Sequence, residues 1–317
     1  MIAPAQVVAI VQLQPPEALP IPSVSPSTPP VSERIVLAAR LDAIVANAKA
    51  KTGGRLGVAI VDLGTGVSIQ RDGEMAFPLA GVQKLPLAVL AYAAIDAGKL
   101  QANQVVDLVP SDIVPVGEIA REYAQGRRAY PVRELIGRML IDSDNTAADV
   151  LYRILGGSDA LNDRMRALGI DGIVLRTDEA GLVADANAGR TFARGGDNAG
   201  TPSSIAALLG ALESGRILSA ASRTALLATL AAVQTSPGRL RAGFPPGTIL
   251  LHEAGTSSRS GGTIDATSDA GIARVNRRSI VVVAMLQGAH GTFAERDAIV
   301  ASVARLVYDA TRLFPMP

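Results

Sequence analysis

The sequence predicts an α/β protein of the α+β type, in which both ends of the chain build one sheet and an all-helical domain lies between them. Three observations support this prediction. Two β-branched runs surround a Gly-rich turn at residues 63–66, and residues 78–232 form alanine- and leucine-rich helical segments. Strand patterns then return over residues 247–286.

Each element follows from its local pattern. Ser32 and Glu33 precede apolar residues at helical spacing, which predicts a capped helix that ends before Gly53-Gly54. A last amphipathic helix is predicted at about 292–313. Segment 173–203 is polar, rich in Gly and Asp and without clear periodicity, so a long loop is predicted there.

The N-terminal region differs in composition from the rest of the chain. Residues 12–31 contain seven prolines, so residues 1–32 are predicted to be a disordered, proline-rich leader or linker. The first residues are apolar but lack a basic region, which leaves either a truncated secretory signal or a disordered tail. The folded domain is predicted over 33–317, with an α/β subdomain at 33–78 and 245–317 and a helical subdomain at 79–244.

Composition excludes several classes of function. The 317 residues carry a net charge of +1, which argues against a nucleic-acid or polybasic membrane binder. The chain has no cysteine and two histidines, so thiolate chemistry and a multi-histidine metal centre are not expected. No apolar stretch has the length of a membrane-spanning helix. Just four lysines occur, and none follows position 99.

Three short segments belong together by order and spacing. They are Gly81-Val82-Gln83-Lys84, Ser143-Asp144-Asn145 and Glu253-Ala254-Gly255-Thr256. This set resembles the serine–x–x–lysine, Ser-Asp-Asn and Lys-Thr-Gly elements of class A β-lactamases and penicillin-binding enzymes. Glu179, which follows Ser143 by 36 residues, resembles the glutamate of the Ω-shaped loop of class A. The resemblance extends over residues 33–314.

The resemblance implies a mostly antiparallel five-stranded sheet, a helical domain and a cleft between them, with no cofactor or metal. Ser143 would relay a proton, Asn145 would bind the substrate amide, and Glu179 would position a water. Thr256 and the backbone of residue 81 would frame the oxyanion hole. The implied catalytic positions are Gly81 (the nucleophile position), Lys84, Ser143 and Glu179; the implied substrate-binding positions are Asn145, Glu253, Gly255 and Thr256.

The chain departs from the family at the positions that matter most. Gly81 replaces the serine nucleophile, so no hydroxyl can be acylated. Glu253 and Ala254 replace the lysine and threonine of the third motif. Two unit charges about 4 Å apart interact by roughly 4 kcal/mol at an effective dielectric near 20, so reversing one charge turns an attraction into a repulsion of similar size. An arginine from the neighbouring strand, Arg259 or Arg274, is a candidate for compensating Glu253.

The loop around Glu179 also departs from the family. Val183 takes the place of an asparagine that helps to hold the deacylating water. Arg176 and Asp197 are candidates for a loop-closing ion pair, although their register is shifted by one residue.

Each site residue also has a purely structural interpretation. The alternative for Lys84 is a solvated lysine on a helix, and the alternative for Glu179 is an acid on a surface loop. For Ser143-Asp144-Asn145 the alternative is a helix cap, a role that is compatible with a place in the cleft. Glu253 is either functional or a drifted position, and His252 is interpreted as a packed or hydrogen-bonded strand residue.

The resemblance implies a β-lactam hydrolase lineage acting through an acyl-serine, with antibiotic resistance as its consequence. Without the serine, the chain is expected to be inactive or severely impaired, through engineering or natural decay. The alternative is a non-catalytic protein that binds a β-lactam, a peptidoglycan fragment or a ligand whose cationic group faces Glu253. A monomer in the periplasm or outside the cell is expected by family, and a Gly81→Ser variant would test whether the rest of the cleft is intact.

Overall fold

The computed structural model describes residues 31–189, 198–257, 259–260 and 263–314. The predicted leader, residues 1–32, lies almost entirely outside them. The helices are α1 (Val31–Thr52), α2 (Lys84–Asp96), α3 (Glu118–Ala124), α4 (Val132–Ile141), α5 (Asn145–Ile154), α6 (Gly157–Ala167), α7 (Glu179–Asn187), α8 (Pro202–Glu213), α9 (Ala220–Ala231), α10 (Leu240–Gly243) and α11 (Phe293–Leu313). The strands are β1 (Arg55–Asp62), β2 (Ser68–Arg71), β3 (Phe77–Pro78), β4 (Val105–Asp107), β5 (Ala129–Pro131), β6 (Ile173–Val174), β7 (Ala199–Gly200), β8 (Ile249–Thr256), β9 (Arg259–Ser260), β10 (Thr263–Val275) and β11 (Arg278–Ala289). Short 3-10 helices cover Ala80–Gln83 and Pro110–Asp112.

The central sheet joins the two ends of the chain, as the sequence predicts. Its strand order is β2-β1-β11-β10-β8, and β9 pairs with β10 beside this path. These neighbours all pair antiparallel. The predicted fold class, a mixed α/β structure with a five-strand antiparallel path, is confirmed. Strand β8 ends this order, so its outer edge faces the helical part of the chain.

The sheet separates two hydrophobic cores because its side chains alternate between two faces. On β11, Val281, Val283 and Met285 belong to the core shared with α2, α4, α5, α8 and α9. The intervening Val282 and Ala284 belong to the core shared with α1 and α11. Helix α2 is buried along most of its length, which holds its first turn rigidly under the cleft.

The segment predicted as a long loop, 173–203, contains a helix. Helix α7 occupies Glu179–Asn187 within it. Asp178 caps this helix by accepting a hydrogen bond from Gly181 N at 2.8 Å, and no α7 residue is buried. Polar contacts at its N-terminus therefore stabilise α7, which explains why apolar periodicity did not reveal it.

In the part of the chain that the structure describes, no helix has the length and apolar character needed to cross a bilayer. The subdomain limits, 33–78 with 245–317 and 79–244, stay a prediction.

Candidate functional site

A cleft of about 590 Å³ lies between β8 and the helical part of the chain. It brings together residues from all three motifs and from α7, as the resemblance of the motifs implies. Glu253 is the predicted site residue that does not line the cleft. The predicted residues that do are Gly81, Lys84, Ser143, Asn145, Glu179, Gly255 and Thr256.

Lys84 is the point at which the motifs meet. Its ammonium group donates to Ser143 O at 2.8 Å, Ser143 Oγ at 2.9 Å and Asn145 Oδ1 at 2.8 Å. Glu179 Oε1 lies 3.9 Å from the same nitrogen. Lys84 is 1% exposed, so its interpretation as a solvated helix lysine is wrong. The three acceptors use the full donor capacity of the ammonium group.

The turn between α4 and α5 serves as a cap and as a part of the cleft at once. Asp144 accepts hydrogen bonds from Ala147 N at 3.0 Å and Ile119 N at 2.9 Å. Ser143 adopts the left-handed region with a φ of 54°, a strained conformation for a non-glycine residue. This conformation directs both Ser143 oxygens towards Lys84 while Asp144 begins α5.

Glu179 is fixed from two sides. Gln83 Nε2 donates to Glu179 Oε1 at 2.7 Å. The backbone N–H groups of Glu179 and Ala180 donate to the two carboxyl oxygens of Asp149 at 2.6 and 2.9 Å. Burial raises the pKa of Asp149 to about 7, although both N–H groups oppose this change. Asp149 therefore holds the first turn of α7, and Glu179 with it.

Asn198 closes the base of the segment that carries α7. Its Oδ1 accepts from Arg176 N at 2.6 Å and Thr177 N at 3.1 Å, and its amide donates to Gln83 Oε1. Asp197, the predicted ion-pair partner of Arg176, lies outside the described residues.

Three residues of the site, Gln83, Asp149 and Asn198, were not apparent from the sequence. The one usable signal was Asp149, an acid between the apolar pairs Ala147-Ala148 and Val150-Leu151 of α5, because such an acid must find a polar partner when buried. Gln83 and Asn198 are uncharged polar residues in segments that give no comparable signal.

The nucleophile position is closed against β8. A Cβ on Gly81 would lie 2.5 Å from the carbonyl oxygen of Ala254, a distance that side chains do not tolerate. In the reverse direction, a Cβ on Gly255 would lie 2.4 Å from Gly81 N. The two glycines allow β8 and the 3-10 turn to pack backbone against backbone. This segment of the cleft has no room for a side chain at position 81.

Beneath the end of β8 lies a second buried cation, Arg239. It donates to Asp297 Oδ1 at 2.8 Å, to Gly255 O at 2.9 Å and to Ser268 O at 3.0 Å. Its remaining nitrogen donates to Thr256 Oγ1. Arg239 is 3% exposed and its charge is compensated by Asp297, so it acts as a support for the strand.

Glu253 lies on the face of β8 that is directed at Lys84 and Glu179. It is fully buried, and among the described residues neither carboxyl oxygen has a hydrogen-bond partner. Burial raises the pKa of Glu253 well above its usual value, and the positive charge of Lys84 opposes this change incompletely. A buried carboxyl group thus stands where the third motif of the family has a lysine.

The expected compensation of Glu253 by Arg274 is wrong. Arg274 pairs with Glu213 at 3.0 Å, because its position near the far end of β10 directs it to α8. The side chain of Arg259 lies outside the described residues. His252, on the other face of β8, places Nδ1 2.9 Å from Asp269 Oδ1, which confirms its interpretation as a hydrogen-bonded strand residue.

The remaining cleft wall is apolar at its rim. Val183 of α7 and Val116 both line the cleft, and they are 43% and 93% exposed, respectively. No group of three metal-ligating side chains occurs among the described residues.

Comparisons with known proteins agree with the motifs and the fold. The model of the family described as "Beta-lactamase enzyme family" matches residues 36–311. The chain is 30% identical to the extended-spectrum β-lactamase PER-1 of Pseudomonas aeruginosa over 235 residues, which cover 73% of this chain and 74% of that one. It is 24% identical to β-lactamase VEB-1 of the same organism, with 80% and 85% covered.

Solved structures similar to this one are also β-lactamases. A β-lactamase from Chitinophaga pinensis superposes with a TM-score of 0.80 at 27% identity, covering 87% of this chain and 99% of that one. An ancestral class A β-lactamase superposes with a TM-score of 0.76 at 31% identity, covering 86% and 99%. With the family model matched over most of the chain, and the motif positions gathered in one cleft, this protein belongs to the class A β-lactamase family.

Proposed function

We propose that this chain is a non-acylating member of its family, which binds a small ligand reversibly in the cleft and does not form an acyl-enzyme. The observation that carries the proposal is the contact between position 81 and β8. Gly81 offers no hydroxyl, and the Ala254 carbonyl occupies the space into which a side chain would extend. Covalent catalysis needs a nucleophile in that space.

Retained contacts support binding in the cleft. Lys84 still connects α2 to Ser143 and Asn145, and Glu179 is still held at the cleft by Gln83. These groups form a preorganised polar floor beneath a cavity of about 590 Å³, a volume typical of small-molecule sites. The family acts on β-lactams, so a β-lactam or a peptidoglycan-like fragment is the first ligand class to test.

The experiment is covalent labelling of the full chain with a fluorescent penicillin, followed by a denaturing gel. We expect no label on the chain or on its Gly81→Ser variant, because β8 obstructs position 81 in both. An active class A β-lactamase serves as the positive control. Label on the unaltered chain overturns the proposal, whereas label on the variant alone shows that β8 moves away when a side chain requires it.

A second candidate activity is slow hydrolysis without an acyl-enzyme. Glu179 is held 3.9 Å from Lys84 and contacts the cleft, so it is placed to accept a proton from a water that attacks a bound amide. Turnover of a chromogenic cephalosporin that persists in the unaltered chain and is lost in Glu179→Gln would support this activity. Equal rates in both proteins would exclude Glu179 as the base.

Location and assembly follow the family. Class A β-lactamases are typically secreted or periplasmic, and we propose the same location for this chain. We also propose that it is a monomer, since the cleft is assembled within one chain. Fractionation of the native host and light scattering of the purified protein test these two points.

A further inference from the structure

The charges at the floor of the cleft are unbalanced towards the acidic side. Among the described residues that line the cleft, Lys84 is the one cation, whereas the acids are Asp142, Asp144 and Glu179. Asp142 lies 3.5 Å from Arg138, and both carboxyl oxygens of Asp144 accept hydrogen bonds from backbone N–H groups. Glu179 remains as the acid of the floor itself.

Neither buried cation near the floor is available to a ligand. Lys84 donates to three oxygens and lies 3.9 Å from Glu179. Arg239 donates to Asp297, to two carbonyl groups and to Thr256. An anionic ligand would therefore meet Glu179 without meeting an unsatisfied positive charge at this part of the cleft.

Glu253 is a second carboxyl on the same side of the floor. It is fully buried, and both of its oxygens lack a hydrogen-bond partner among the described residues. The charged groups that act on it are Lys84, Glu179 and Asp269. A buried carboxyl either keeps its proton or receives a cation. Lys84 carries one positive charge but faces two carboxyl groups, Glu179 and Glu253, so a second positive charge has to come from elsewhere.

We propose that the floor of the cleft selects the ammonium group of a small organic amine, with Glu179 as the direct contact and Glu253 as the buried carboxyl that the ammonium compensates. The apolar rim formed by Val116 and Val183 then covers the hydrocarbon part of the ligand. This inference rests on the proposed function, because it requires a cleft used for reversible binding.

Three probes that share a benzyl group test the charge preference: benzylammonium, benzyl alcohol and phenylacetate. Each is titrated into the full chain at low ionic strength, and amide chemical shifts of Gly81, Asn145 and Gly255 are followed. We expect benzylammonium to bind about tenfold more tightly than phenylacetate, with the alcohol between them.

Two variants connect this preference to the carboxyl pair. Glu253→Gln and Glu179→Gln should each reduce the preference to about threefold or less, because each removes one negative charge near the ammonium. Asp163→Asn is the matched control, since Asp163 is exposed on α6 and pairs with Arg166. Phenylacetate binding that equals or exceeds benzylammonium binding overturns the inference, as does a preference that neither Gln variant changes.

The outcome is independent of the labelling experiment. Covalent label together with a retained benzylammonium preference would overturn the non-acylating function and leave the charge selectivity standing. Absence of label together with absence of the preference would support the non-acylating function and overturn the charge selectivity.

Discussion

Gly81 and Ala254 are packed so closely that a Cβ on the glycine would lie 2.5 Å from the carbonyl oxygen of the alanine. The obstructing atom belongs to the backbone of β8, whose other edge is hydrogen-bonded to β10 from Ile249 to Thr256. A side chain rotamer change therefore cannot relieve the contact. Any side chain at position 81 has to displace either the strand or the 3-10 turn.

A Cβ at position 81 should consequently destabilise the fold. We expect Gly81→Ala to lower the free energy of unfolding by about 1–3 kcal/mol, the usual cost of overpacking. Gly137→Ala is the matched control, because a Cβ there meets nothing within 4 Å and lies inside α4. That control should gain up to about 1 kcal/mol from helix propensity. Urea denaturation measures both, and equal effects would contradict the close packing at Gly81.

Glu253 should make the protein less stable as pH rises. Its pKa is raised in the folded state, so the folded protein binds more protons than the unfolded chain above about pH 4.3. The contribution is fully present below that pH and is lost as pH rises towards the folded pKa. Glu253→Gln should therefore be more stable than the unaltered chain by about 1 kcal/mol or more at pH 8. Urea denaturation at pH 5 and pH 8 measures the difference, and a variant less stable at pH 8 would contradict it.

Removal of the Lys84 ammonium should be severely destabilising. Lys84→Met leaves Ser143 O, Ser143 Oγ and Asn145 Oδ1 without their donor, and leaves Glu179 without its nearest positive charge. We expect a loss of about 3–5 kcal/mol, the range found when one partner of a buried charged network is removed. Lys99→Met, at an exposed position, should change stability by less than about 0.5 kcal/mol. Thermal denaturation compares the two variants, and a loss below about 1 kcal/mol for Lys84→Met would show that the network is not essential.

Asp149 should give the anchoring of α7 its own pH dependence. Burial raises the pKa of Asp149 to about 7, against about 3.9 in the unfolded chain. Its contribution is full below about pH 4, falls by roughly 4 kcal/mol at most as pH rises to 7, and is level above pH 8. In Asp149→Asn this dependence should disappear. The difference between the two stability–pH curves isolates Asp149, and parallel curves would contradict its raised pKa.

Much of the fold could be predicted because its signals are local. The β-branched runs around residues 63–66 and the apolar strands after residue 247 identify the sheet, and Gly53 marks the end of α1 with a φ of 69°. The meeting of Lys84 with Ser143 and Asn145 was also predictable, because the resemblance of these motifs to those of class A β-lactamases implies that they share one cleft.

The rest depends on tertiary packing that no local pattern encodes. The glycine at position 81 shows from the sequence alone that a hydroxyl is missing. The close approach of the Ala254 carbonyl, however, results from the packing of β8 against the 3-10 turn. The amide chain from Asn198 through Gln83 to Glu179 joins residues separated by 115 and 96 positions. Sequence could not indicate that Arg274 would pair with Glu213, because no local pattern distinguishes Glu213 from the other acids of the chain as a partner.

Helix α7 has none of its residues buried, although it carries Glu179 and forms a wall of the cleft. Local opening of such a helix exposes almost no apolar surface, so its free energy lies far below that of global unfolding. Amide hydrogens of residues 182–187 should then exchange with solvent while the sheet stays protected. The wall of the cleft can therefore open independently of the core, and the binding site can change shape while the rest of the fold stays intact.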